Sequence, residues 1–124
     1  MKVIGRIRVG NRWVMVERMR VSEEGILKVE TSEGRFTTNA WYEALGEQDA
    51  RGVELFVRDV VRFPSGEKAL ILKREGDILL MSRGTEAFES FQSMTKVGDW
   101  FSEEAWAKDI FEEYFPSFNH VIVI

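Results

Sequence analysis

The sequence predicts a mainly β protein: one domain, built as a twisted antiparallel sheet or SH3-like barrel with a C-terminal helix over about residues 103–115. Three observations predict it. Apolar and charged residues alternate from Val3 to Val21, the period of half-buried strands. Turn residues then recur every few positions as far as Ser82, spacing that favours a meander of short strands. Beyond Ser102 the period changes to that of an amphipathic helix.

The first pair of strands meets at Gly10-Asn11, which suits a two-residue hairpin turn. That turn sets Arg8 opposite Trp13 and Arg6 opposite Met15. One face then carries Arg6, Arg8, Trp13, Met15 and Glu17 toward solvent. The other carries Val3, Ile7, Val9, Val14 and Val16 toward the core. Ser22 to Gly25 reads as a turn, Ile26–Thr31 as a strand, and Ser32 to Gly34 as another turn before a strand over Arg35–Thr38. Asn39 is placed to cap a brief helical turn, Ala40 to Leu45, which Gly46 would end. Further strands are expected at Val53–Val57, Val60–Phe63, Ala69–Arg74 and Ile78–Ser82, parted by Pro64-Ser65-Gly66 and Glu75-Gly76-Asp77.

The segment 83–124 changes character, to aromatic, acidic and helical. Phe88 and Phe91 favour a short helix within Thr85 to Met94. Ser102 is positioned as an N-cap with Glu103 and Glu104 in the first turn. Trp106, Ala107, Ile110, Phe111, Tyr114 and Phe115 share one helical face, Lys108, Asp109 and Glu112 lie opposite, and Pro116 ends the helix. Val121–Ile124 reads as a last strand.

Composition bounds the function. A chain of 124 residues, 44% hydrophobic and 31% charged, has the make-up of one ordinary globular domain. It has no cysteine, which excludes disulfides and thiolate metal sites and fits a reducing compartment. The start, MKVIGRIRVG, has too short an apolar run for a signal peptide, and no window approaches a membrane span, so a cytoplasmic location is expected. The net charge of −4 is unevenly spread: residues 1–20 hold six cations against Glu17, whereas residues 86–124 hold two cations against eight acids. Such asymmetry fits a nucleic-acid face, an acidic protein-binding surface, or two ends of one domain attracting each other.

The central stretch GEQDARGVELFVRDVVRF, Gly46 to Phe63, has its own rhythm. Asp49 and Gly52 bound a type I turn, a strand leaves it, and Asp59 opens a second extended run. In this order the residues resemble the YopX family of small phage and prophage proteins, whose central motif has the form Gly-x-x-Asp-x-x-Gly-x-Glu-Ile-Tyr-Glu-Gly-Asp-Ile-Val. Gly46, Asp49, Gly52, Glu54, Leu55, Phe56, Asp59, Val60 and Val61 match it or substitute conservatively; Val57-Arg58 replaces the Glu-Gly before the last aspartate. The resemblance implies a β-rich fold, a phage or prophage origin in a bacterial host's cytoplasm, and no established enzymatic activity.

Catalysis finds little support. His120 is the single histidine and stands in no motif, and zinc would need ligands that the chain lacks. Asp59 with Glu54, and Asp77 with Glu75, are candidate carboxylate pairs, but both flank turns where aspartate bonds its own backbone. There is no phosphate loop, and Ser22, Ser65 and Ser82 lack a nucleophile elbow. No catalytic residue, metal or cofactor is expected. The first functional expectation is non-catalytic binding of another protein, such as a host defence or regulatory factor, through Trp106, Asp109 and Glu112. The second is nucleic-acid binding through Arg6, Arg8 and Trp13, with phosphate on the guanidiniums and a base on the indole.

Overall fold

The computed structural model describes residues 2–38, 40–82, 87–99 and 121–123, the last segment by its backbone path. It is β-rich, as expected, with two compact units, residues 1–44 and 45–124.

The first unit is an antiparallel meander. β1 (Gly5–Val9) turns at Gly10-Asn11 into β2 (Arg12–Val21), followed by β3 (Leu27–Thr31) and β4 (Gly34–Thr38), in the spatial order β4-β3-β2-β1. Arg8 pairs with Trp13, Arg6 with Met15 and Ile7 with Val14, the register that a two-residue turn requires. Gly10 has φ of 62°, which only glycine adopts without strain. Ile7, Val14, Val16 and Val29 are buried, with Met19, Leu27, Phe36 and Trp41 packed against them.

The far edge of β1 pairs with the start of β5 (Tyr42–Gln48), Gly5 opposite Glu43 and Arg6 opposite Tyr42. The helical turn expected over Ala40 to Leu45 is therefore a strand. Its ladder to β1 supplies the backbone bonds a helix would have made internally, and Ala44 adds an N–H bond to the Ile4 carbonyl at 3.0 Å. Gly46 is left-handed (φ 74°), but inside a strand rather than as a helix cap.

β5 crosses the unit boundary and also bonds to β6 (Glu54–Phe56). The second unit then forms a sheet ordered β10-β7-β8-β9-β11, from β7 (Asp59–Arg62), β8 (Lys68–Arg74), β9 (Asp77–Ser82), β10 (Thr95–Asp99) and β11 (Val121–Val123). All its ladders are antiparallel. Leu55, Val61, Phe63, Ala69, Ile71, Leu80, Phe91 and Met94 form its core. Phe88 and Phe91 meet edge to face, centroids 5.0 Å apart, beside a single 3₁₀ turn at Phe91–Ser93. Only that turn stands in the described part of the expected Thr85–Met94 helix, and β10 follows it unforeseen. The last strand, expected over Val121–Ile124, spans Val121–Val123 and pairs with β9. The helix expected over about 103–115 lies outside the described residues.

Candidate nucleic-acid interface

β2 does not keep its period to the end. Val16 pairs with Thr31 and the next pair is Arg18 with Glu30, so Glu17 is an extra residue, a β-bulge. Were Glu17 paired in a regular ladder, Arg18 and Arg20 would follow Val14 and Val16 into the core. With the bulge, Met19 falls on the core face opposite Val29 and Phe36, while Arg18 and Arg20 turn outward.

Two cross-strand rows result on the outer face. Arg18, Glu30 and Arg35 form one, and Arg20, Lys28 and Thr37 the next. Between them lies a trough of about 500 Å³ whose floor is the middle row, Met19, Val29 and Phe36. The side chains of that row point to the core, so the floor is backbone and the walls are charged. Arg18, Arg20, Lys28 and Arg35 are all exposed. Glu30, half-buried, stands 3.6 Å from the Arg35 guanidinium, in a pair whose arginine side chain is 85% exposed and therefore weakly held. Among the described residues, Arg18, Arg20 and Lys28 stand in no ion pair. Arg12, at the start of β2, is held at 2.7 Å by Glu33. The face thus offers four cations against one acid. The first unit as a whole carries eight cations and six acids, whereas the second carries nine against fifteen.

The residues expected to bind nucleic acid occupy the neighbouring part of the same sheet, in a different state. Arg6 is buried, 2% exposed, rather than lying on a solvent face. Its guanidinium carbon lies 3.9 Å from the Trp13 ring centroid and that of Arg8 lies 5.2 Å from it. Tyr42 meets Trp13 edge to face at 5.3 Å. The indole, half-buried, is already engaged by two cations and an aromatic edge. Trp106, Asp109 and Glu112 lie outside the described residues, as does His120.

The aspartates of the central motif prove to be architectural. Asp49 is buried. One carboxylate oxygen accepts the N–H groups of Arg51 (2.8 Å) and Val53 (2.9 Å), and the other accepts Lys96 N–H at 2.8 Å. Burial would raise its pKa, but those three donors and the Arg51 guanidinium outweigh it and hold the carboxyl below its ordinary value of 3.8. Asp59, also buried, accepts Phe56 N–H at 2.7 Å and pairs with the Lys96 ammonium at 3.2 Å. Both aspartates thereby fasten β10 to the β5–β6 and β6–β7 turns. Glu54 is exposed, whereas Asp59 is buried; Glu75 and Asp77 occupy the β8–β9 turn. Ser22 and Ser65 accept backbone N–H groups in their own turns. Among the described residues, no cluster of His, Cys, Asp and Glu could hold a metal, and no helix is long and apolar enough to cross a membrane.

The chain matches no protein-family model and no curated protein.

Sequence reading missed Arg18, Arg20, Lys28 and Arg35 as a set. The signal that finds them is the excess of cations in β2 combined with a break in its apolar alternation at Glu17-Arg18.

Proposed function

We propose that this chain is a non-catalytic binding protein whose first unit holds nucleic acid through the phosphate backbone. The observation that carries this reading is the outer face of β2–β3–β4, where four exposed cations surround a trough floored by backbone. Arginine forks and a lysine ammonium at that spacing suit phosphate oxygens, and a sheet fixes their register. The reading keeps the ligand class expected for the basic N-terminal region but moves the site from the hairpin to the adjoining three strands. The likeness of Gly46–Phe63 to the YopX family supports a phage or prophage setting in a bacterial cytoplasm. Binding of another protein through Trp106, Asp109 and Glu112 rests on residues outside the described part.

The test is fluorescence anisotropy with labelled oligonucleotides at low salt. The parent chain binds, and the triple variant Arg18→Gln, Arg20→Gln, Lys28→Gln loses binding while melting at the parent's temperature, since these side chains are exposed. Absence of binding to every oligonucleotide, or undiminished binding by the triple variant, overturns the reading. Binding to polyglutamate but to no nucleic acid assigns the face to an acidic protein instead.

A further inference from the structure

We infer that the ligand of the β2–β3–β4 face is a double-stranded backbone, held without reading or stacking bases. This rests on the nucleic-acid reading above and narrows it. A protein that binds single strands combines cations with aromatic platforms, because each stacked base repays the loss of its neighbours in the strand. The trough has no such platform. Its one aromatic residue, Phe36, sends its ring to the opposite face, where it packs against the Ile7, Val14, Val16 and Val29 cluster. The nearest outward ring in the sheet, Trp13, already lies against the Arg6 and Arg8 guanidiniums and the Tyr42 edge. A base could stack there only by displacing Arg6, which is buried.

What remains is charge on a pleated surface. Successive outward residues on one strand stand about 7 Å apart, and the three strands place β2 and β4 about 10 Å apart. Over about 10 Å of axis a B-form duplex presents about six phosphate charges, three on each strand, twice the density of a single strand. Four long cationic side chains, Arg18 and Arg35 from one row and Arg20 and Lys28 from the other, suit contact with both sides of a groove. Thr37, completing the second row, adds a hydroxyl that serves phosphate or sugar equally. No side chain in the trough pairs a carboxylate or amide with a base edge; Glu30 faces Arg35. With the guanidiniums and the ammonium committed to phosphate oxygens, the contact is indifferent to base sequence.

The experiment compares one 20-base-pair DNA duplex, its RNA counterpart, the two separated strands and a duplex of scrambled sequence, by anisotropy from 50 to 200 mM salt. Duplexes are expected to bind at least tenfold more tightly than either strand, with the scrambled duplex equal to the first. With three unpaired cations each meeting a phosphate, the slope of log K against log salt is about −2.7, so the salt range weakens duplex binding about 40-fold. Arg20→Gln reduces that slope by about one, whereas Arg8→Gln leaves it unchanged. Equal or tighter binding of the single strands, or a loss on Arg8→Gln that matches Arg20→Gln, overturns the duplex assignment while leaving nucleic-acid binding intact. Silence toward all five ligands removes the nucleic-acid reading itself.

Discussion

Asp49 offers a measurement in which the structure sets the size of the effect. Its buried carboxylate accepts three backbone N–H groups at 2.8, 2.9 and 2.8 Å, two from its own turn and one from Lys96 in β10. A hydrogen bond to a charged group contributes roughly 1.5–3 kcal/mol, and a buried donor left without an acceptor is costly. Three such bonds at the low end of that range sum to about 4.5 kcal/mol, so Asp49→Ala should cost about 4–5 kcal/mol, a large part of the roughly 5–15 kcal/mol that stabilises an ordinary domain. Asp49→Asn keeps one acceptor oxygen but turns an NH₂ toward donors, so about half that loss is expected. In urea unfolding followed by tryptophan fluorescence, a slope of about 2 kcal/mol/M converts the alanine effect to a midpoint lowered by about 2 M. The pH dependence has a fixed sign. The folded pKa lies below the unfolded one, so the contribution is complete above about pH 4 and is lost as pH falls through the folded value. Asp49→Ala removes that share of the acid transition. A midpoint shift under about 0.5 M would refute the reasoning, because water would then be replacing the carboxylate at all three donors.

Three further outcomes follow from backbone and packing. Glu75 has φ of 51° in the β8–β9 turn, so Glu75→Gly relieves left-handed strain, raising stability by about 0.5–1 kcal/mol in thermal melts. A methyl at Gly5 would overlap the Trp41 ring and crowd the Tyr42 carbonyl where β1 meets β5, so Gly5→Ala should cost about 1–3 kcal/mol in the same assay. Val14 is 2% exposed, and Val14→Asp places a charge in the first unit's core; an unchanged melting temperature would contradict the β1–β2 register.

Much of this fold was legible because local signals agreed with one another. Val14 and Val16 alternate with polar residues beside a Gly-Asn turn, and β8 and β9 are apolar runs closed by Glu75-Gly76, so propensity, period and turn chemistry point one way. β5 was not legible: Glu43, Ala44 and Leu45 favour helix, and pairing with β1 on one side and β6 on the other makes the segment a strand. β10 was hidden for a related reason, since Thr95–Asp99 has little apolar content and is held by Asp49 and Asp59 from distant positions. The turn before Asp59 places Arg58 in the left-handed region, φ 75°, a conformation that glycine would adopt without strain.

The charged face shows why a site can escape a reading that places its strands correctly. Strict alternation carried through Glu17 sends Arg18 and Arg20 inward with Val14 and Val16, and no pattern of two contains four cations on one side. The extra residue reverses that assignment from Arg18 onward. Cross-strand pairing then adds Lys28 and Arg35, whose partners in sequence give no hint of a common surface. Burial acts in the opposite direction on Arg6, which alternation put beside Arg8 at solvent and which the sheet encloses against Trp13. Glu17 is therefore the residue left over between Val16 and Arg18, and this can be tested by removing it. Deleting Glu17 closes the bulge into a regular strand and leaves the pairs Val16–Thr31, Arg18–Glu30, Met19–Val29 and Arg20–Lys28 in place. Arg18 and Arg20 then stay outward and Met19 stays packed against the Val29 cluster, so the deletion, like Glu17→Ala, should keep both the parent's melting temperature and its nucleic-acid binding. A deletion variant that loses stability and binding together would show that Glu17 belongs to the ladder and that the outward rows have another cause.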